Sequence, residues 1–265
     1  MPSLKSYVQS ASLAARKAGS LLIRHAGKAK DVRTKRSEID LVTEIDKAAE
    51  KLIERILKSR HPEIGFLGEE QGQRPMHAPY RWIVDPIDGT NNFVHGLPLF
   101  GVSIGLEFRG KMIAGVILDP MRDELFSASK NGGAFLNGRR IRVSPARKLS
   151  KSLVATGFSV NFRQQPQPYL RWFENFQCRS HGVRRLGSTV FCLASIAAGR
   201  LEGFYERDLW PWDMAAGMLL VEEAGGRVSN LSGRQARLEE GQLLATNGYI
   251  HAEMLRVLAL KRAIR

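Results

Sequence analysis

The sequence has little cysteine and no long apolar run. Its two cysteines, Cys178 and Cys192, form neither a C-x-x-C pair nor a zinc-ligand spacing with histidine, so we expect both to be reduced and structural. The longest apolar stretches, such as residues 214–221, are far shorter than the roughly 20 residues that a membrane-spanning helix needs. The first ten residues lack the apolar segment of a signal peptide. These absences predict a cytoplasmic protein.

Several motifs that would indicate other enzyme classes are also missing. The chain contains no Walker A loop and no Gly-x-Ser-x-Gly elbow, and its six histidines are scattered without forming a metal-binding pair. It contains no internal repeat and no low-complexity linker. These absences remove P-loop nucleotide hydrolysis and serine-nucleophile chemistry from the candidate functions.

What the chain has in excess is positive charge. Its 40 Lys and Arg residues outnumber its 26 Asp and Glu residues, which gives a net charge of +14. Such a balance favours polyanionic partners, which include phosphorylated substrates, nucleic acid and acidic proteins. Basic residues cluster within 28–36, 139–142 and 261–265, although aromatic residues make up only 8% of the chain and leave few stacking platforms for bases.

Helical periodicity predicts two helices at the start of the chain, over 4–26 and from Thr43 to Ser59. Thr43 and Asp46 resemble a capping box, with Asp in place of the usual Glu or Gln. The segment between the helices, 27–39, is basic and lacks apolar periodicity, so we expect an exposed loop.

Strand patterns follow in the first half. A short strand is predicted at 81–84, and Arg109-Gly110-Lys111 predicts a hairpin turn between 100–108 and 112–118. Asn137-Gly138 predicts a second hairpin between 133–136 and 141–143. Consecutive hairpins indicate an antiparallel sheet.

The pattern changes near residue 148, after which predicted strands and helices alternate. Strands are predicted at 153–156, 203–205, 227–228 and 243–246, and helices near 168–178, 188–198 and 212–224 and from 251. Alternation of this kind predicts an α/β second half. We therefore divide the chain into residues 1–148, an α+β half, and 149–265, an α/β half, which share one interface.

The most informative stretch is 82–93. A buried strand is predicted to carry Asp85 to its carboxyl end, where Pro86 blocks further pairing and Asp88 returns three residues later. Gly89 permits close backbone approach, and Thr90 can begin a short helix whose N–H groups bind anions. Two carboxylates beside a phosphate-binding helix start suit magnesium-assisted phosphoryl chemistry. An ordinary Pro-Asp-Gly turn is the alternative for the short motif alone.

Four blocks in order resemble the inositol monophosphatase family, in the branch of bacterial inositol-1-monophosphatases. The blocks are Asp40–Asp46, Gly68–Glu70, Asp85–Phe93 and Trp212–Gly217. They span most of the chain. The resemblance implies a layered α/β/α/β/α sandwich, a homodimer, dependence on two to three Mg²⁺ ions and inhibition by lithium.

The resemblance also implies a metal site made of carboxylates. The residues that match the metal ligands of the family are Glu69, Asp85, Asp88 and Asp213 with the carbonyl of Ile87. One ion would bind Glu69, Asp85 and Ile87, and a second would bind Asp85, Asp88 and Asp213.

The catalytic residues implied by the resemblance are Thr90 and Asp46, which would orient the attacking water, and Lys35, which matches the basic residue of a mobile active-site loop. Asp46 could instead be only a helix cap, and Lys35 could be merely solvated. Attack on phosphorus would be in line and would need no covalent intermediate.

The substrate contacts are implied in the same way. The backbone N–H groups of Gly89 and Thr90 would hold the phosphate, while Gly187, Ser188, Thr189 and Glu206 would contact the polyol or sugar. Thr189 departs from the usual Ala of the family.

The implied reaction is hydrolysis of inositol monophosphate or a similar small polyol or sugar phosphate. Relatives that hydrolyse fructose 1,6-bisphosphate, histidinol phosphate or adenosine 3′,5′-bisphosphate remain alternatives, although the string Gly89–Phe93 favours the inositol branch. A different class also remains open: a basic regulator that binds RNA or a transcription complex.

Overall fold

The computed structural model describes residues 3–28, 33–34, 41–73 and 79–261. Lys35 and most of the predicted 27–39 loop lie outside the described residues. Within them, the α-helices are α1 (Leu4–His25), α2 (Glu44–Arg60), α3 (Thr90–Val94), α4 (Tyr169–Gln177), α5 (Thr189–Ala197), α6 (Pro211–Glu223) and α7 (His251–Leu258).

The strands of the described residues form three sheets. They are β1 (Arg33–Thr34), β2 (Leu41–Val42), β3 (Gly65–Gly68), β4 (Gly72–Gln73), β5 (Tyr80–Asp88), β6 (Gly101–Phe108), β7 (Lys111–Asp119), β8 (Glu124–Ser129), β9 (Gly133–Leu136), β10 (Arg139–Arg140), β11 (Leu153–Thr156), β12 (Gly182–Arg184), β13 (Gly203–Arg207), β14 (Arg227–Ser229) and β15 (Gln242–Thr246). The eight-stranded sheet has the order β10-β9-β8-β7-β6-β5-β3-β4, and the five-stranded sheet has the order β12-β11-β13-β15-β14.

The large sheet is antiparallel except where β3 runs parallel to β5. In the smaller sheet β12, β11 and β13 are parallel, while β15 runs antiparallel to both β13 and β14. Both predicted hairpins form. The strand after Asn137-Gly138 is β10, Arg139–Arg140, rather than the expected 141–143, because pairing with β9 begins directly after the two-residue turn.

Local capping explains where α2 begins. The Thr43 side chain accepts from the amide of Asp46, and the Asp46 carboxylate accepts from the amide of Thr43, which is the reciprocal capping box expected from the sequence. Helix α5 is capped similarly, since Ser188 accepts from the amide of Phe191.

Strand β5 alternates between two hydrophobic cores. Trp82 and Val84 belong to the core beneath α1 and α2, whereas Ile83 belongs to the core on the opposite face, which contains α5 and α6. Side chains along a strand alternate between faces, so Asp85 shares the face of Ile83 and lies on the side of α6.

Three hydrophobic cores lie between the five layers of helices and sheets. The middle core joins the two sheets through α5 and α6 and includes Ile117 from the large sheet and Phe204 from the smaller one. The third core packs α4 and α7 on the outer face of the smaller sheet, with Phe176 and Met254 among its residues. The predicted α/β/α/β/α sandwich is confirmed. The division at residue 148 stays a prediction.

Among the described residues, no helix is both long enough and apolar enough to cross a bilayer.

Candidate active site

The end of β5 brings two carboxylates to one point. Pairing with β6 is regular up to Asp85 and then shifts register before Asp88. The Ile87 amide donates to Asp85 Oδ1 at 2.9 Å, which closes the turn around Pro86. The irregularity lets Asp88 return to the same space as Asp85 instead of continuing along the strand.

A third carboxylate arrives from the start of α6. Asp213 lies in its first turn, and its Oδ2 accepts from the Trp210 amide at 2.7 Å. One carboxylate oxygen from each of Asp85, Asp88 and Asp213 lies within 4.8 Å of the others. The sequence-predicted residues Asp85, Asp88 and Asp213 therefore meet in space, although Asp213 follows Asp88 by 125 positions in the chain.

Helix α5 holds Asp88 in place. Asp88 Oδ2 accepts a hydrogen bond from the Ser188 hydroxyl and another, at 2.9 Å, from the Val190 amide. Ser188 thus caps α5 and also contacts the carboxylate cluster. The sugar contact that the resemblance implies for Ser188 stays a prediction.

Burial and mutual repulsion disfavour the charged forms of these carboxyl groups. Burial raises the pKa of Asp88 to about 6; the hydrogen bonds from Ser188 and the Val190 amide oppose this rise, and the charge of Glu69 adds to it. Burial, followed by the charges of Asp88 and Glu69, raises the pKa of Asp213 well above its usual range. Buried carboxylates with oxygens this close favour a cation that neutralises them, and hard oxygen donors suit Mg²⁺. The residues present therefore fit the divalent metal expected from the sequence.

Glu69 is held by strand pairing, and the turn that follows it is held by a carboxylate not anticipated from the sequence. The Glu69 amide donates to the Val84 carbonyl at 3.2 Å. The fully buried Glu50 carboxylate accepts from the amides of Glu70 at 2.8 Å and Gln71 at 2.9 Å. Gly68 makes room for Glu50, because a Cβ at Gly68 would lie 2.4 Å from that carboxylate.

A signal for Glu50 was present in the sequence. Glu50 follows Asp46 by four residues on α2, so both side chains lie on one face of the helix. Burial is the largest cause of the raised pKa of Glu50, and the hydrogen bonds from the two amides oppose it.

Thr90 and Asp46 are in contact. The Thr90 hydroxyl lies 3.1 Å from Asp46 Oδ1 and 3.0 Å from the Ile87 carbonyl oxygen, and it donates to one of them at a time. Asp46 Oδ2 accepts from Thr43 Oγ1 at 2.6 Å and from the Thr43 amide at 2.8 Å. Asp46 therefore caps α2 and contacts Thr90 at the same time, and its role in orienting water stays a prediction.

The glycine before Thr90 is required by the backbone. Gly89 has a φ of 92°, in the left-handed region. A Cβ there would lie 2.9 Å from the Leu99 carbonyl oxygen and 3.1 Å from that of Gly187. Close approach of the 89 and 187 backbones brings the start of α5 against the Asp88 turn.

Glu206 and Thr189 meet on the other side of the cluster. The Thr189 hydroxyl donates to Glu206 Oε2 at 3.3 Å. Burial, followed by the charge of Asp88, raises the pKa of Glu206 to about 8. The carboxyl group packs directly over Gly157, where a Cβ would lie 2.0 Å from Oε1. The neighbouring Arg207 pairs with Asp208 at 3.3 Å.

Most of the predicted site residues line one cleft of about 710 Å³, whose wall does not include Asp46 or Ser188. Sequence-predicted residues in its wall are Glu69, Asp85, Ile87, Asp88, Gly89, Thr90, Gly187, Thr189, Glu206 and Asp213. Residues in the wall that the sequence analysis did not assign include Phe158, Asp208 and Trp210. Phe158 could have been anticipated, since it follows the carboxyl end of a parallel strand, where α/β sites form.

Comparisons with known proteins agree over most of the chain. The sequence profile of the Inositol monophosphatase family matches residues 4–262. The chain is 43% identical over 245 residues to an inositol-1-monophosphatase of Mesorhizobium japonicum, covering 92% of each chain. It is 42% identical to a Pseudomonas aeruginosa protein named Nus factor SuhB, covering 88% of this chain and 89% of the relative. The structure of the extragenic suppressor protein suhB from Bartonella henselae matches with a TM-score of 0.90 at 40% identity and covers 97% of this chain and 99% of that chain.

Proposed function

Because this chain belongs to the inositol monophosphatase family, and is therefore a phosphatase, we propose that it is a magnesium-dependent phosphomonoesterase of small polyol or sugar phosphates. The observation that carries the proposal is the convergence of Asp85, Asp88 and Asp213 within 4.8 Å in an open cleft. Inositol monophosphate is the proposed substrate.

The proposed metal ligands are the four carboxylates Glu69, Asp85, Asp88 and Asp213 with the Ile87 carbonyl, for two to three Mg²⁺ ions. When bound, Mg²⁺ supplies Lewis-acid chemistry that activates water and neutralises charge on the departing oxygen. The burial of Asp85 and Asp88, with 2% and 9% of their surfaces exposed, supports this assignment because buried carboxylates need a compensating charge.

The proposed role of Thr90 is to orient the attacking water. When its hydroxyl donates to Asp46 Oδ1, the lone pairs of Oγ1 stay available to accept a hydrogen bond from water. Asp46 is positioned for this by its two contacts with Thr43. Lys35 retains its proposed catalytic role from the sequence, outside the described residues.

The phosphate is proposed to bind the amides of Gly89 and Thr90, and the polyol to contact Glu206 and residues 187–189. Glu206 supports this role because its carboxyl group is held by Thr189 at the cleft wall. Fructose 1,6-bisphosphate, histidinol phosphate and adenosine 3′,5′-bisphosphate remain alternative substrates.

A substrate panel tests the proposal. Phosphate release from inositol 1-phosphate and the three alternatives is measured with Mg²⁺, with EDTA, and with Mg²⁺ plus lithium. We expect Mg²⁺-dependent turnover that is fastest on inositol phosphate and is inhibited by lithium. Equal turnover in EDTA would refute the metal assignment, and a faster alternative substrate would replace inositol phosphate. Sedimentation of the same sample tests the proposed homodimer.

A second candidate function rests on a relative and on charge. The Pseudomonas aeruginosa relative is named a Nus factor, and this chain carries a net charge of +14. We propose a weak association with RNA or an RNA-bound transcription complex. Contacts with phosphates release counterions, so affinity for RNA should fall steeply from about 50 to 200 mM salt. Absence of binding by fluorescence anisotropy at the lowest salt would refute it.

A further inference from the structure

A pair of stacked indole rings forms part of the cleft wall. The ring centroids of Trp210 and Trp212 lie 5.5 Å apart, and their planes differ by 6°. Trp212 is 6% exposed, whereas Trp210 is 44% exposed. Both residues line the cleft that contains the carboxylate cluster. The indole of Trp210 therefore presents an apolar surface to the cleft. A ligand that covered this surface would remove it from water, which is favourable.

Trp210 is held firmly although it is exposed. Its amide donates to Asp213 Oδ2 at 2.7 Å, and the preceding amide of Leu209 donates to the Gly241 carbonyl at 2.9 Å. Pro211 follows and fixes the backbone at the start of α6. With Trp212 behind its ring, Trp210 loses little conformational freedom when a ligand packs against it.

The groups around the indole define the ligand chemistry. Carboxylates at Glu206, Asp208, Glu239 and Glu240 line the same cleft. Carboxylates accept hydrogen bonds from hydroxyl groups, while the flat C–H face of a polyol ring is apolar and suits an aromatic surface. A nucleobase would also stack on an indole, but a second phosphate, as in a nucleoside bisphosphate, would be repelled by the carboxylates of Asp208, Glu239 and Glu240.

We propose that Trp210 is a specificity-determining residue that packs against the C–H face of the ring in a cyclic polyol or sugar monophosphate. This inference rests on the proposed phosphatase function. An acyclic phosphomonoester has no such ring face, so Trp210 favours cyclic over acyclic substrates. The contact reaches the substrate directly and leaves the phosphate and the carboxylate cluster to other residues.

The test compares the kcat/KM values of the enzyme for a cyclic and an acyclic substrate. We compare kcat/KM on inositol 1-phosphate with kcat/KM on glycerol 2-phosphate, for the wild type and for Trp210→Ala, at saturating Mg²⁺. The cyclic-to-acyclic ratio should fall about tenfold in Trp210→Ala, the scale of one aromatic contact, and Trp210→Phe should retain most of it. Tyr249→Ala is the matched control, because Tyr249 is an aromatic residue that is 52% exposed and should leave the ratio unchanged.

Each other outcome counts against the inference. An unchanged ratio in an active Trp210→Ala variant refutes the contact. An equal loss on both substrates means that Trp210 acts only through Asp213, which also refutes it. A changed oligomeric state with an unchanged ratio assigns the indole to a subunit interface instead. Failure of the wild type to hydrolyse either substrate refutes the proposed function itself, and the inference falls with it.

Discussion

Replacing Asp88 with Asn tests the carboxylate cluster most directly, because it should change stability and activity in opposite directions. The amide oxygen of Asn can occupy the position of Asp88 Oδ2 and keep the hydrogen bonds from Ser188 and the Val190 amide. The substitution then removes one negative charge and one metal ligand with little change in shape. We therefore expect the fold to survive.

The size of the effect follows from the separation of the charges. At the 4.8 Å limit and an effective dielectric constant of about 20, two like charges repel by about 3.5 kcal/mol. Protonation of Asp213, whose pKa is raised, already relieves part of this repulsion in the metal-free protein. We expect Asp88→Asn to stabilise the metal-free protein at pH 8 by about 1 kcal/mol, which raises Tm by roughly 2–4 °C.

The same charge attracts Mg²⁺ when the metal is present. Loss of about 3 kcal/mol of that attraction in the transition state would lower kcat by about a hundredfold or more. The assays are thermal melts in EDTA and in Mg²⁺, and phosphate release at saturating Mg²⁺. Asp119→Asn is a matched control, because Asp119 is a buried carboxylate that pairs with Arg122 at 2.7 Å, away from the cleft. It should lower Tm without lowering kcat.

Two results would contradict this reasoning. Near-normal turnover by Asp88→Asn at saturating Mg²⁺ would mean that Asp88 is not a ligand of a catalytic metal. A lower Tm in EDTA would mean that the carboxylates of the metal-free protein do not repel one another.

Three further predictions concern the residues around the cluster. Glu206→Gln should alter the ranking of inositol phosphate, fructose bisphosphate and nucleotide by kcat/KM more than it alters the Mg²⁺ requirement; an unchanged ranking would argue against sugar recognition. Glu50→Gln removes one acceptor beneath the Glu69 turn, so the Mg²⁺ concentration for half-maximal activity should rise about tenfold, while the exposed control Glu44→Gln should not move it. Burial raises the pKa of Asp88 to about 6 and that of Glu206 to about 8, so both groups bind protons more tightly in the folded protein than in the unfolded chain. The free energy of unfolding therefore decreases as pH rises through those values. The metal-free protein should therefore melt higher at pH 5.5 than at pH 8, and Mg²⁺ should raise Tm more at pH 8; the reverse order in calorimetry would contradict the pKa shifts.

Local chemistry in the sequence was sufficient for much of the fold and part of the site. The capping box of Thr43 and Asp46, the turn at Asn137-Gly138 and the string from Asp85 to Thr90 each act over a few residues. Their geometry depends on backbone preferences and short hydrogen bonds, which neighbouring residues specify. Fold class and the first two carboxylates could therefore be anticipated before any long-range contact was known.

Tertiary structure decided which distant groups meet. The sequence resemblance grouped Asp213 with Asp85 and Asp88, but their approach to within 4.8 Å depends on how α6 packs against the large sheet. The spacing of Glu50 from Asp46 placed both on one face of α2, but only the structure shows that Glu50 supports the turn after Gly68. The stacking of Trp210 on Trp212 had no signal in the sequence. Such contacts arise from the packing of whole layers, whose geometry is a property of the assembled cores and not of any short stretch of chain.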